Sequence, residues 1–240
     1  MNMPYTLIQA DEARLGLIVL QTDESLERDL RQLIPATVNL LVSRVPSGDE
    51  VTEETLGQMA RDLPASAALL PQMQRYAAIG YGCTSGAAVI GPARVADLVG
   101  AAAPTDHVTN PLTALLAACQ RLQITRLGIL SPYTAEVSDR LRRVLSENCI
   151  DTPVFGSFNE AREERVVRIA PQSIRAACET LAPRGGIDAL FLSCTNLDTL
   201  DINAPLEAET GLPVLSSKST LTAESPAWAC GAKVGSVMVK

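Results

Sequence analysis

Short apolar runs recur along the chain, separated by longer stretches in which apolar positions follow a helical period. Leu15-Gly16-Leu17-Ile18-Val19-Leu20 reads as a buried strand, and Leu127-Gly128-Ile129-Leu130 reads the same way. Extended across the chain, the pattern predicts strands over 15–20, 39–45, 77–81, 127–130, 154–158, 189–192 and 213–215, with a further candidate at 105–109. Helices are predicted over 26–33, 50–62, 65–76, within 89–99, and over 112–122, 135–145 and 171–181. Asp23 or Ser25 serves as the cap of the first helix. Pro64 and Pro71 are expected to interrupt helix around them, because proline lacks the N–H that an inner turn donates. Strands that alternate with helices imply a mostly parallel sheet covered on both faces, with ligands at the carboxyl ends of the strands.

The pattern occurs twice. Gly16 and Cys83 lie 67 positions apart, and Gly128 and Cys194 lie 66 apart. Each interval opens on a Gly-containing strand and closes on a Cys-Thr turn: Gly82-Cys83-Thr84-Ser85 in the first, Ser193-Cys194-Thr195-Asn196 in the second. The expected fold is therefore α/β, built as two pseudo-symmetric flavodoxin-like halves with an active site in the cleft between them. Residues 1–110 form the half that carries Cys83, residues 111–217 the half that carries Cys194, and 218–240 a divergent tail with Pro226, Gly231, Gly235 and no clear helical period.

Composition narrows the function. The 240 residues are 47% hydrophobic and 20% charged, which is globular, and the net charge of −7 argues against a nucleic-acid binder. The longest apolar stretch is too short to span a bilayer, and Met1-Asn2-Met3-Pro4-Tyr5 lacks the regions of a signal peptide, so a cytoplasmic protein is expected. Six cysteines in a chain of this size do not suggest a disulfide scaffold. One histidine, His107, and no Cys-x-x-Cys make a zinc site an unsuitable reading. Cys119 and Cys178, in Ala-rich helical stretches, read as core thiols, and His107 reads as structural. Cys149 and Cys230 receive no role.

Gly82-Cys83-Thr84-Ser85-Gly86, the tyrosine of Ser131-Pro132-Tyr133-Thr134, and Ser193-Cys194-Thr195-Asn196-Leu197 resemble the aspartate/glutamate racemase superfamily. Within it they are similar to the branch of maleate cis–trans isomerases and arylmalonate decarboxylases, over about residues 15 to 217. Residues 16–24 and the Arg44-Val45-Pro46-Ser47 stretch further resemble the ectoine-utilisation protein A subgroup. The resemblance implies a cofactor-independent enzyme, with no metal, acting on a small carboxylate and often assembled as a homodimer. Three chemistries come with it. A racemase moves a proton between two cysteines across the substrate. A maleate isomerase adds one cysteine to a double bond. An arylmalonate decarboxylase uses only the second cysteine, so the presence of Cys83 makes that version the weakest fit.

The residue types suit such chemistry. A thiolate is a base or nucleophile and its partner thiol an acid. Each cysteine is expected where a strand feeds a helix, so that the helix N-terminus favours the thiolate and offers N–H groups to a carboxylate. Thr84, Ser85, Thr195, Asn196 and Tyr133 are the expected side-chain donors of an oxyanion cradle. Asp23 stands where the resembling isomerases carry Asn after the first strand. Ahead of Val166-Val167-Arg168 a second such Asn is replaced by Glu163, unless an insertion brings Asn159 there. Two acidic groups would repel a dicarboxylate by roughly several kcal/mol. Asp23 and Glu163 therefore point to a substrate with a cationic or amide group opposite its carboxylate. A catalytically silent metabolite-binding protein is the competing class.

Overall fold

The computed structural model describes residues 1–7 and 13–223. Its first half runs β1 (Arg14–Leu20), α1 (Leu26–Leu33), β2 (Asn39–Val45), α2 (Glu53–Ala68), β3 (Ala78–Gly82), α3 (Thr84–Ile90), α4 (Pro92–Ala102) and β4 (Val108–Thr109). The second half runs α5 (Pro111–Leu122), β5 (Arg126–Ser131), α6 (Ala135–Glu147), β6 (Asp151–Ser157), α7 (Glu163–Val166), α8 (Pro171–Leu181), β7 (Ala189–Leu192), α9 (Asn203–Thr210), β8 (Val214–Ser216) and α10 (Ser217–Ala223).

The two halves build the same sheet. Strand order is β2-β1-β3-β4 in one and β6-β5-β7-β8 in the other, and every pairing between these strands is parallel. The inner strands β1, β3, β5 and β7 are almost wholly buried, as expected when both faces of a parallel sheet are covered. No described helix is long and apolar enough to cross a membrane. Cys83, Cys119, Cys149, Cys178 and Cys194 are free thiols.

Three sequence expectations are corrected. Pro64 does not break its helix: α2 continues through it to Ala68 and then stops, so no helix covers 69–76. Buried Leu63, Ser66 and Ala67 hold these turns on the core, and Ser43 Oγ donates to the Ser66 carbonyl at 2.7 Å. That packing offsets a proline cost of about 3 kcal/mol. Second, the helix placed within 89–99 is two helices, α3 and α4, which meet at Gly91 with φ +94°, a conformation that favours glycine.

Third, the chain beyond 217 begins as a helix. α10 carries Lys218, Thr220, Leu221 and Thr222, all buried, and packs on α5 and α1. Its polar sequence masked this, since the helix is held by burial and not by an apolar stripe. Cys230 and the rest of the tail lie outside the described residues. Lys218 is 1% exposed and forms an ion pair with Asp29 of α1, and its Nζ also donates to Ser25 Oγ at 3.0 Å. Arg28 Nε reaches the other oxygen of Asp29 at 2.8 Å.

Removing one partner of a buried pair leaves the other charge uncompensated. Lys218→Met is expected to lower unfolding free energy by about 3 kcal/mol in urea denaturation. The double variant Lys218→Met/Asp29→Leu should recover most of that loss, because both charges leave together.

Candidate active site

The carboxyl ends of the two sheets face each other, and four strand ends deliver the site. β3 ends at Gly82 and leads into Cys83. β7 ends at Leu192, one residue before Ser193-Cys194. β1 leads to Asp23 and β5 to Tyr133. The two cysteine turns are tied across the halves. Thr195 Oγ1 donates to the Gly82 carbonyl at 3.0 Å. Ser217 Oγ accepts from Thr84 Oγ1 at 2.8 Å and from the Cys194 N–H at 3.0 Å. Ser25 Oγ lies 3.1 Å from the Thr195 carbonyl.

Cys83 is the N-cap of α3, and its Sγ accepts from Gly86 N–H at 3.1 Å. A Cβ at Gly86 would stand 2.9 Å from that sulfur and crowd the Tyr81 hydroxyl, so glycine is required for the close approach. Cys194 differs. It is not followed by a helix, since α9 begins only at Asn203, and its φ is +120°, a strained value for a residue with a side chain. Its Sγ accepts from Asn196 N–H at 3.2 Å and lies 3.0 Å from the Tyr133 hydroxyl. The expectation of a helix N-terminus at each thiol therefore holds at Cys83 alone.

Burial overrides any helix effect. Cys83 and Cys194 are 4% and 3% exposed. Desolvation pushes the Cys83 thiol up to about 12, with the Glu163 and Asp23 charges adding and the Gly86 N–H and Tyr81 hydroxyl opposing. Desolvation and the Glu163 charge push Cys194 higher still, against the Tyr133 and Asn196 bonds. The Tyr133 hydroxyl is raised well above its ordinary value, first by burial and then by its anionic neighbours.

The expected cradle is largely spoken for. Thr84 and Thr195 spend their hydroxyls on the cross-half bonds above. Tyr133 Oη lies 2.6 Å from Glu163 Oε1, and Asn196 Nδ2 donates to Glu163 Oε2 at 3.0 Å. Ser85 is the one expected donor whose hydroxyl makes no hydrogen bond among the described residues. Of the two alternatives left open by sequence, Glu163 is 2% exposed and inside the site, whereas Asn159 is exposed. Burial raises the Glu163 carboxyl above its usual range, and the Tyr133 and Asn196 bonds hold it back. Glu163 also lines a cleft of about 210 Å³ with Thr22, Glu24, Asp49, Arg162 and Glu164, which opens to solvent.

Asp23 caps α1: its Oδ1 accepts from the N–H groups of Ser25 at 3.1 Å and Leu26 at 2.8 Å. Its Oδ2 is buried and has no hydrogen-bond partner among the described residues. Arg44 fixes this turn by donating to the carbonyls of Leu20 at 3.0 Å and Asp23 at 2.9 Å. Ser25, Arg44, Gly86, Ser217 and Lys218 were missed as site-forming residues. Only Arg44 and Gly86 lay within motifs that drew attention.

Paired buried thiols at the strand ends of two like parallel sheets define a duplicated α/β protein with its cysteine turns where the halves meet. The chain belongs to the arylmalonate decarboxylase (Amdase) family, whose model matches residues 94–238, more than half of its length. An arylmalonate decarboxylase of Bordetella bronchiseptica is 27% identical over 110 residues, which is 45% of this chain and 46% of that protein, so about half of each is matched. Among solved structures, the maleate isomerase of Pseudomonas putida S16 superposes with TM-score 0.77 at 19% identity, over 89% of this chain and 91% of that one. The maleate cis-trans isomerase of Nocardia farcinica with a covalently bound succinylcysteine intermediate gives TM-score 0.75 at 21% identity, over 87% and 89%. These likenesses establish the two-sheet fold.

Burial raises the Asp23 carboxyl to about 6, partly offset by the Leu26 N–H and the Lys218 charge. A folded-state value above the unfolded one means that ionised Asp23 costs stability, fully so above about pH 6 and not at all below the unfolded value near 4. Asp23→Asn keeps the capping oxygen and removes the charge. It should stabilise the protein by about 2 kcal/mol at pH 7.5 in urea unfolding. The gain should disappear at pH 4.

Proposed function

We propose that the protein is a cofactor-independent isomerase or racemase in which Cys83 and Cys194 act on a small carboxylate. The observation that carries this reading is the placement of two buried free thiols at matching strand ends, held to each other's halves by Thr195 and Ser217. Neither thiol is held as a thiolate by its surroundings, so each can serve as an acid, and either can be a base once its proton has somewhere to go. The structures of similar fold support the substrate class. One is described with maleate and another with a succinylcysteine intermediate, a carboxylate attached to a cysteine.

Residues 1–110 and 111–217 are taken as the two working halves, with Tyr133, Ser85 and Asn196 around the substrate. The Oδ2 of Asp23, without a partner among the described residues, supports a substrate that presents an N–H or ammonium group, because an unpaired buried oxygen is costly to leave unmet. Glu163 adds a second carboxylate. An amino acid fits better than a simple dicarboxylate, and the resemblance to the ectoine-utilisation proteins makes ectoine-derived diamino acids the first candidates. A cytoplasmic homodimer is the expected setting.

One observation favours a second reading, decarboxylation. The family match at 94–238 contains Tyr133 and Cys194 but not Cys83, and a decarboxylase of this kind needs only the second thiol.

Proton exchange in D₂O, followed by NMR, separates the readings. The protein is incubated with D- and L-aspartate, ectoine-derived diamino acids, maleate and an arylmalonate. Loss of a signal beside a carboxylate, abolished by Cys83→Ala and by Cys194→Ala, is the expected result. Conversion of maleate to fumarate would support the isomerase reading and contradict the role given to Asp23. Carbon dioxide release that survives Cys83→Ala would favour decarboxylation. Absence of all three would overturn the enzymatic reading in favour of a metabolite-binding protein.

A further inference from the structure

The hydrogen bonds that surround Tyr133 have definite directions. Lys218 Nζ can only donate, so Ser25 Oγ accepts it at 3.0 Å and turns its own proton toward the Thr195 carbonyl and Asn196 Oδ1. Asn196 Oδ1 also accepts from Glu24 N–H at 3.1 Å. The amide is thereby oriented, and its Nδ2 must face Glu163 Oε2 at 3.0 Å. The other oxygen of Glu163 lies 2.6 Å from Tyr133 Oη, which lies 3.0 Å from Cys194 Sγ.

A phenol has one proton and serves one neighbour at a time. In one state Cys194 S–H donates to Tyr133 and Tyr133 donates to the Glu163 carboxylate. In the other, a protonated Glu163 donates to Tyr133 and Tyr133 donates to the Cys194 thiolate. The two states differ by two protons moved one step each, and both carry a single negative charge.

We propose that Glu163 is the proton store of Cys194, reached through the Tyr133 hydroxyl. To form the thiolate, the S–H bond of Cys194 breaks as its proton passes to Tyr133 Oη, while the Tyr133 proton passes to Glu163 Oε1. The reverse movement restores the thiol. This deepens the reading of Cys194 as a proton-transfer thiol and rests on it.

Charge explains why a relay is useful here. Ionising Cys194 by release of its proton to solvent would put a second negative charge beside Glu163 at a buried sulfur. Moving the proton to Glu163 leaves the net charge unchanged. Cys83 has no equivalent among the described residues: its sulfur meets the Gly86 N–H and the Tyr81 hydroxyl, and that hydroxyl points on to Met59 Sδ at 3.5 Å. The pair is therefore asymmetric, with the thiolate formed at Cys194 and the proton donated from Cys83. Tyr133 touches the reacting sulfur. Glu163 acts through it, as a positioning residue that holds the proton.

The test is the rate at which iodoacetamide alkylates Cys194, resolved by mass spectrometry across pH, in the full chain without substrate. The charged groups near Glu163 are Asp23, Glu24, Asp49, Arg162 and Glu164, with Lys218 behind Ser25. Asp23→Asn is included as a control, since its titration near pH 6 overlaps the profile. A shared proton gives a rate that is flat across neutral pH, because the pair neither gains nor loses protons there. Glu163→Gln and Tyr133→Phe should each slow alkylation at pH 7 by about tenfold and replace the plateau with a steady rise toward alkaline pH. The double variant should be no slower than either single one.

If Glu163 acts only as a like charge, Glu163→Gln alkylates as fast as the parent or faster, and the relay is overturned. An unchanged rate in Tyr133→Phe, which keeps the ring and removes only the bridging oxygen, overturns it equally. The two-cysteine function survives both of those results. A Cys194 no more reactive than the core thiol Cys178 in the parent protein would overturn the function and the relay together.

Discussion

Two hydroxyl bonds hold the cleft in its form. Thr195 reaches the carbonyl that ends β3, and Ser217 takes both the Thr84 hydroxyl and the N–H of Cys194. The Thr195 and Thr84 bonds cross between the halves, and the Cys194 N–H ties Ser217 to its own cysteine turn. In each case a short hydroxyl side chain spans the gap. The small polar residues beside the cysteines thus fix where the sulfurs stand relative to one another. The threonine side chains give up direct contact with a substrate to do so.

What they enclose is buried and rich in acids. Two thiols, two carboxyls and two phenols converge, and burial raises every group among them whose titration is shifted. The cleft resists a second negative charge more strongly than it resists the first. Lys218 answers Asp29 and Asp23 from behind, but it is screened from the sulfurs by Ser25 and Asn196. A site of this kind favours chemistry in which protons are exchanged among its members over chemistry that needs net ionisation.

Much of the fold could be read from periodicity. β2 at 39–45, α8 at 171–181 and β7 at 189–192 fall where their apolar patterns place them: β7 is buried on both faces, β2 turns Leu40, Ser43 and Val45 inward, and α8 buries the stripe of Ile174, Cys178 and Leu181. Short or polar helices escaped notice: α7 has four residues, α9 has one buried side chain, and α10 owes its helix to contacts from distant segments. At the site, the cysteines, Tyr133 and Asp23 were legible as chemistry-bearing residues after strands. The engagement of Thr84 and Thr195 was not, since their partners lie more than a hundred residues away. Nor was the strained φ of Cys194, which no local signal announces in a residue other than glycine.

The position of α10 bears on how the molecule comes into being. Leu221 packs into the same apolar cluster as Leu15, Leu17, Leu26, Leu30 and Leu40, so one face of the first sheet is finished by one of the last described helices. Chain order and assembly order therefore part company. As the polypeptide emerges from the ribosome, the opening half waits with an unfilled groove, and with one oxygen of Asp29 unmet by Lys218, until some two hundred residues have followed. The two halves are alike in their sheets, but this helix crosses from the second to cover the first, and a protein split at its midpoint would leave its first fragment without that cover.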